Sequence, residues 1–154
     1  MIAHTISIAL YQPEIPANTG NIGRVCVGTG SDLYLIGKCG FLLRDREIKR
    51  AGLDYWDKLI LHREPTFESF LAAVGKRRII IVSKFAPTTY WDKEYRADDV
   101  LLFGNESSGL PDAVHTAYRS DGVHIPMTAQ IRSHNLANSV AVVCYEAIRF
   151  LTKA

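Results

Sequence analysis

Residues 123–147 read VHIPMTAQIRSHNLANSVAVVCYEA, and this stretch decides the fold class. Val123, Ile125 and Met127 form a short apolar run with Pro126 inside it. Proline has no N–H to give to a ladder, so it belongs at a strand end or edge and leaves nearby backbone groups free to bind something else. Gln130 to His134 make a polar loop. Leu136, Val140, Val143, Ala147 and Leu151 then recur at helical spacing and predict a long helix over 135–151. Ser133 or Asn135 can cap it. A strand end, a polar loop and a capped helix start are the ingredients of a ligand site in an open α/β sheet, although every α/β domain contains such units.

The rest of the chain alternates in the same way. Strands are predicted at Ile6–Tyr11, Asp32–Ile36, Leu59–Leu61, Arg78–Ser83, Val100–Phe103 and Val123–Pro126. Between the first two, Asn18 or Thr19 can cap a helix that starts near Gly20 and ends at Gly28, with Gly28 and Gly30 as terminators. Asp45–Ala51 reads as a short basic helix closed by Gly52. Thr66 caps a helix over Phe67–Val74, which Gly75 stops. Pro111 suits the first turn of another helix, running to about Ala117. The expected class is α/β, with a mostly parallel sheet and helices on both faces.

The length of 154 residues suits a single domain, 1–154. A hydrophobic fraction of 47% is enough for a globular core. No apolar run approaches the roughly 20 residues that span a bilayer, so no membrane partner is expected. The opening MIAHTISIALYQPEIP lacks a basic leader and reads as a strand, which points to the cytoplasm. Cys26, Cys39 and Cys144 form no C-x-x-C pair, so neither a disulfide framework nor a metal site is expected. Cys26 and Cys144 fall in apolar helical patterns and read as core residues. The net charge of +2 proves no nucleic-acid partner. Two basic clusters stand out, Arg44–Arg46–Lys49–Arg50 and Lys76–Arg77–Arg78, and each suits a solvated helix face or charged turn as well as it suits RNA. The run Gly20-Asn21-Ile22-Gly23 fits neither G-x-G-x-x-G nor the phosphate-loop pattern, which counts against a nucleotide-binding domain.

Three polar loops stand at strand ends: PANTGNIGR (16–24), FGNESSGLP (103–111) and IPMTAQIRSHNLANSV (125–140). Their order and spacing resemble the three motifs of the SPOUT class of RNA methyltransferases. The opening LYQPEIPANTGNIGR and the middle RAGLDYWD extend the likeness over nearly the whole chain. The near-minimal length is similar to its smallest branch, which acts on the wobble ribose of tRNA. The resemblance implies a C-terminal deep trefoil knot, a homodimer with the site completed near the subunit interface, and S-adenosyl-L-methionine as cofactor. It implies 2′-O-methylation of a wobble cytidine or carboxymethylaminomethyl-uridine, with leucine tRNA isoacceptors as substrates.

Carried onto this chain, the resemblance places the cofactor against Ile81, Val82, Ser83, Gly104, Glu106, Ile125, Met127, Ser133 and Leu136. Gly104, lacking a Cβ, would let the cofactor approach its backbone. Arg24 closes the first motif and is the expected catalytic residue, joined by Glu106, Ser133 and Asn135. A guanidinium is never deprotonated in a protein, so Arg24 is expected to act electrostatically. Glu106 would fix its loop or the orientation of Arg24; a cap on the following helix is the alternative. Asn18 and Asn21 would shape the first loop. Arg46, Lys49 and Arg50 would contact tRNA, and Tyr145 the substrate or a second subunit. His134 stands where the family's pattern often has Met. Two alternatives stay open: an RNA-binding protein of the same fold without activity, and a methyltransferase acting at another RNA position.

Overall fold

The computed structural model describes residues 3–40 and 54–153. Among them, seven strands form one sheet: β1 Ser7–Tyr11, β2 Asp32–Ile36, β3 Leu61–Glu64, β4 Ile79–Val82, β5 Thr88–Thr89, β6 Val100–Phe103 and β7 Val123–His124. The order across the sheet is β3-β2-β1-β6-β4-β7-β5, and every pairing is parallel. Among the described residues four α-helices accompany it: α1 Pro16–Thr29, α2 Phe67–Val74, α3 Asp112–Tyr118 and α4 Leu136–Lys153.

Helices cover both faces, as a sheet buried on two sides requires. Successive strand residues point to opposite sides. Ile8, Leu10, Leu33, Leu35, Ile80, Leu101 and Phe103 meet α1 and α4 through Ile22, Cys26, Val140, Val143, Cys144 and Ala147. Their neighbours Ala9, Tyr34, Ile36, Ile79, Ile81, Val100 and Leu102 meet α2 and α3 through Phe70, Val74 and Val114. The helical stripe of α4 is therefore a core stripe. Cys26 on α1 and Cys144 on α4 lie fully buried in that core, and burial pushes both thiols above their usual range.

Three local expectations are corrected. First, α1 starts at Pro16, a turn earlier than expected, and neither Asn18 nor Thr19 caps it. Proline tolerates the first helical position because its missing N–H would have no partner there. The acceptor for the exposed amides is Glu106, far away in sequence. Gly30 closes α1 in the left-handed region (φ 75°), while Gly28 lies inside the helix. Second, Trp56–Lys58 form a 3-10 turn, so β3 begins only at Leu61, where it can pair with β2. Third, β7 is two residues long and ends before Ile125. The segment between β4 and β6 contains β5 and a 3-10 turn, Tyr90–Asp92. The helix at Phe67–Val74 is capped as expected, with Thr66 accepting from the Ser69 N–H at 3.1 Å. The expected basic helix at 45–51 lies outside the described residues.

Arg77 and Arg78 brace the N-terminal ends of the strands, opposite the loops of interest. Arg78 grips the fully buried carboxylate of Asp99 through two bonds of 2.8 and 2.7 Å. Arg77 donates to the Ser7 hydroxyl at 2.9 Å, to the Asp98 carbonyl at 2.9 Å and to the Thr5 carbonyl. Both guanidinium groups are engaged in structure, which settles the role of these two arginines.

Candidate functional site

The strand order reverses direction between β1 and β6, and the loops that follow these strands come together there, as expected at a topological switch point. Glu106, in the loop after β6, reaches across to the start of α1. Its carboxylate accepts from the Glu14 N–H at 2.8 Å, the Ile15 N–H at 3.1 Å and the Asn18 side-chain amide at 3.1 Å. Burial raises its proton affinity, but these donors outweigh that and hold the carboxyl below its usual range. Ser107 adds a bond of 2.6 Å to the Glu14 carboxylate. Glu106 therefore fixes the first loop and caps α1.

Asn18 passes the linkage on, since its side-chain oxygen accepts from the Asn135 amide at 3.0 Å. Asn135 in turn accepts from the Asn138 N–H at 3.2 Å and caps α4, one of the two caps expected there. Residues 18, 106 and 135, one from each polar loop, thus form a continuous hydrogen-bonded chain.

Gly104 is required, but the reason differs from the expected one. A Cβ at this position would lie 2.2 Å from the Gly109 carbonyl carbon and 2.4 Å from the Leu110 nitrogen. The space is filled by the protein's own backbone. The loop folds back as an antiparallel bridge between Asn105 and Gly109, with Gly109 at φ 69°. The Asn105 side chain pins it by accepting from the Ser108 N–H and hydroxyl at 2.8 and 2.9 Å.

Beyond this junction, at the C-terminal ends of β4, β6 and β7, lies a cavity of about 620 Å³. Val82 and Ser83 line it from β4, and Gly104 and Glu106 from the loop after β6. Ile125, Met127, Ser133, Asn135 and Leu136 line it from the segment after β7. His134 and Asn18 are also on the wall. Among the described residues, and outside helices and strands, no backbone–backbone hydrogen bond involves Ile125 to His134. The amides and carbonyls freed by the early end of β7 are thus available to read a ligand's polar edge. Polar and apolar side chains line the cavity in comparable measure, a mixture that suits a nucleoside-sized ligand such as S-adenosyl-L-methionine, and the volume lies within the usual range for such sites. Among the described residues no three His, Cys, Asp or Glu side chains come together as a metal-binding set.

Other expected residues lie elsewhere. Ile81 is fully buried on the α2–α3 side, because strand alternation turns Val82 and not Ile81 toward the cavity. Asn21 and Arg24 are exposed on the outer face of α1, and Tyr145 on the neighbouring face of α4. Arg46, Lys49 and Arg50 fall outside the described residues.

One residue of the first motif has a partner that sequence patterns do not reveal. The guanidinium of Arg24 lies 5.0 Å from the centre of the Tyr55 ring. The Tyr55 hydroxyl donates to the Gly20 carbonyl at 2.7 Å. Next to it, the Trp56 ring packs where a Cβ on Gly23 would stand, 2.8 Å away. Gly20 and Gly23 of α1 thus accept an aromatic pair, of which Tyr55 holds Arg24. The motif containing Tyr55 and Trp56 was visible in the sequence, but its link to Arg24 was not.

Comparison with known proteins agrees with this geometry. The model of the SpoU rRNA Methylase family matches residues 5–145. A tRNA (cytidine(34)-2′-O)-methyltransferase from Aeromonas hydrophila is 46% identical over 147 residues, covering 95% of this chain and 94% of its own. A solved structure described as giving insights into the 2-OH methylation of C/U34 on tRNA superimposes with a TM-score of 0.92 at 41% identity, covering 99% of this chain and 100% of that one. The SpoU methyltransferase AviRb from Streptomyces viridochromogenes, in complex with the cofactor AdoMet, matches with a TM-score of 0.79 at 25% identity, covering 97% of this chain and 58% of that one.

Proposed function

The chain belongs to the SpoU rRNA methylase family, and on that footing we propose that it is an S-adenosyl-L-methionine-dependent methyltransferase acting on the 2′-hydroxyl of the wobble ribose of tRNA. The carrying observation is the cavity where the three polar loops converge, tied by the Glu106–Asn18–Asn135 chain. The relatives' activity and the AdoMet-bound neighbour support the reaction and the cofactor. The substrate nucleotide is cytidine or a modified uridine, on leucine isoacceptors. The reading comprises one domain over 1–154, in the cytoplasm, with the C-terminal segment drawn through a deep trefoil knot. Among the described residues no helix is long and apolar enough to cross a membrane.

When bound, S-adenosyl-L-methionine supplies an activated methyl group. The chain's own residues then position and stabilise. Val82, Ile125, Met127 and Leu136 offer apolar contact to an adenine, and the free backbone after β7 offers donors and acceptors to its edge. Ser133 and Asn135 face the ribose or methionine end. Arg24 binds the phosphate beside the target ribose and stabilises the negative charge that builds on its oxygen. Glu106 acts as a positioning residue, through Asn18 and the start of α1.

Arg24 does not line the cavity of its own chain, which supports the dimeric part of the reading. Arg24 and Asn21 share an exposed surface with Val142 (41% exposed) and Tyr145 (55% exposed), on two helices packed side by side. Pairing two copies through this surface covers the apolar side chains and sets Arg24 at the boundary. Sedimentation at micromolar concentration reads the assembly directly: a dimer is expected, and a monomer would remove this arrangement.

The deciding experiment incubates the protein with labelled S-adenosyl-L-methionine and unmodified tRNA, then locates the product by nuclease digestion and mass spectrometry. A 2′-O-methyl group at the wobble position is expected. A methyl group elsewhere keeps the reaction class and overturns the position. Cofactor binding without methylation of any RNA favours a non-catalytic RNA-binding protein.

A further inference from the structure

At the cavity rim nearest α3, Phe85 lines the opening together with Lys84 and His115. It is 61% exposed, the highest value among the large apolar side chains described. Nothing in the core accounts for it, and a solitary exposed phenylalanine would mean little. Its surroundings do mean something. The Lys84 ammonium sits 5.1 Å from the ring centre. His115 meets the ring edge-on, with centroids 5.9 Å apart at 78°. Arg119 donates through Nε to the Phe85 carbonyl at 3.1 Å, and the Ser83 hydroxyl accepts from the Phe85 N–H at 3.3 Å. The Ala86 N–H donates to the Ser83 carbonyl at 3.0 Å and closes the turn. The ring is therefore held in place by its backbone and by one edge. Lys84 and Arg119 make no salt bridge among the described residues, so both cations face solvent beside the ring.

An exposed, fixed aromatic flanked by two uncompensated cations is the arrangement by which proteins hold single-stranded nucleic acid. A base stacks on the ring, and the cations take the phosphates. We propose that Phe85, with Lys84 and Arg119, is a stacking platform for an unpaired tRNA nucleotide flanking the one whose ribose enters the cavity. Unpaired anticodon-loop bases offer such a face, which an RNA helix would not. The platform rests on the tRNA methyltransferase reading and deepens it, because the described part of the chain shows no separate RNA-binding domain.

The test compares Phe85→Ala, Phe85→Leu and Phe85→Tyr with the unaltered protein, measuring tRNA affinity over a series of salt concentrations and cofactor affinity by titration calorimetry. Loss of a stacked base should weaken tRNA binding about tenfold in the Ala and Leu variants, with Tyr close to the unaltered protein. The salt slope should not change, because stacking displaces no counterion. Lys84→Ala should instead lower the slope by about 0.7, the value for one single-stranded phosphate contact. Cofactor affinity should stay within twofold in every variant. Unchanged tRNA affinity in Phe85→Ala, in a protein that methylates tRNA, overturns the platform alone. A loss of cofactor affinity matching the loss of tRNA binding overturns it in favour of a cap over the cofactor. An unaltered protein that binds no tRNA removes the platform and the functional reading together.

Discussion

Arg24 rests its guanidinium on the face of Tyr55, 5.0 Å from the ring centre, while the Tyr55 hydroxyl is anchored one turn back on the Gly20 carbonyl. The same ring thus grips the helix backbone and the side chain that the helix presents. Coulombic attraction to Arg24 lowers the Tyr55 phenol's proton affinity, but burial, the larger effect, raises it, and the group stays protonated at neutral pH. Replacing Tyr55 by Leu should cost the cation–π contact, worth about 0.5–1 kcal/mol at an exposed site, and slow methyl transfer roughly twofold to fivefold. Tyr55→Phe keeps the stack and should retain more of the rate. Single-turnover rates at saturating cofactor check both, and an unchanged rate in Tyr55→Leu would remove the positioning role.

Arg24→Ala should lower the single-turnover rate about 100-fold, the usual cost of losing a group that stabilises developing negative charge. Cofactor affinity, measured by calorimetry, should remain within twofold, since Arg24 stands away from the cavity wall. Loss of cofactor binding would show that Arg24 holds the cavity together and is not part of the chemistry.

Glu106 couples the site to pH. Its donors keep the folded carboxyl below the usual range, so its folded-state proton affinity lies below that of the unfolded chain. The stabilisation is complete above the unfolded value of about 4.3 and is lost as pH falls through the folded value. Thermal melts of the unaltered protein should therefore decline more steeply between about pH 5 and 3 than those of Glu106→Gln. At neutral pH, Glu106→Ala leaves two backbone N–H groups and the Asn18 amide without their acceptor. It should cost about 1–2 kcal/mol. Parallel melting curves for all three proteins would contradict this account.

Gly104→Ala tests the backbone junction. An added methyl group within 2.5 Å of three backbone atoms forces the Gly109–Leu110 segment to move. The expected loss is about 3 kcal/mol, or roughly 6–12 °C in Tm for a chain of this size. Cofactor affinity should fall with it, because the same loop lines the cavity. A Tm within 2 °C of the original would mean that the loop relaxes freely.

Much of this architecture is local and therefore legible in the chain. The strands at 7–11, 32–36 and 100–103 announce themselves as apolar runs. Thr66, Gly75, Pro111 and the stripe of α4 mark helix limits and faces by rules that need only neighbouring residues. The family resemblance also placed nine cofactor or catalytic residues on one cavity wall. What escaped the sequence is non-local. The start of α1 depends on Glu106, whose carboxylate lies 91 residues from the Ile15 amide it accepts. The need for Gly104 depends on a backbone fold-back, and the setting of Arg24 on an aromatic pair from another segment. Arg77 and Arg78, which the sequence left open between a solvated helix face, a charged turn and an RNA contact, are consumed by strand starts, a commitment visible only once β1, β4 and β6 lie side by side.

The bond between Asn18 and Asn135 joins residues 117 positions apart. Closing so long a loop is entropically costly and slow, and the cost is met only after the intervening strands have paired. During synthesis, the first half of the chain can emerge and begin to fold without the residues that complete its ligand cavity. The cavity is therefore complete only once the last helix is in place, because Asn135, Leu136 and Ser139 close its wall.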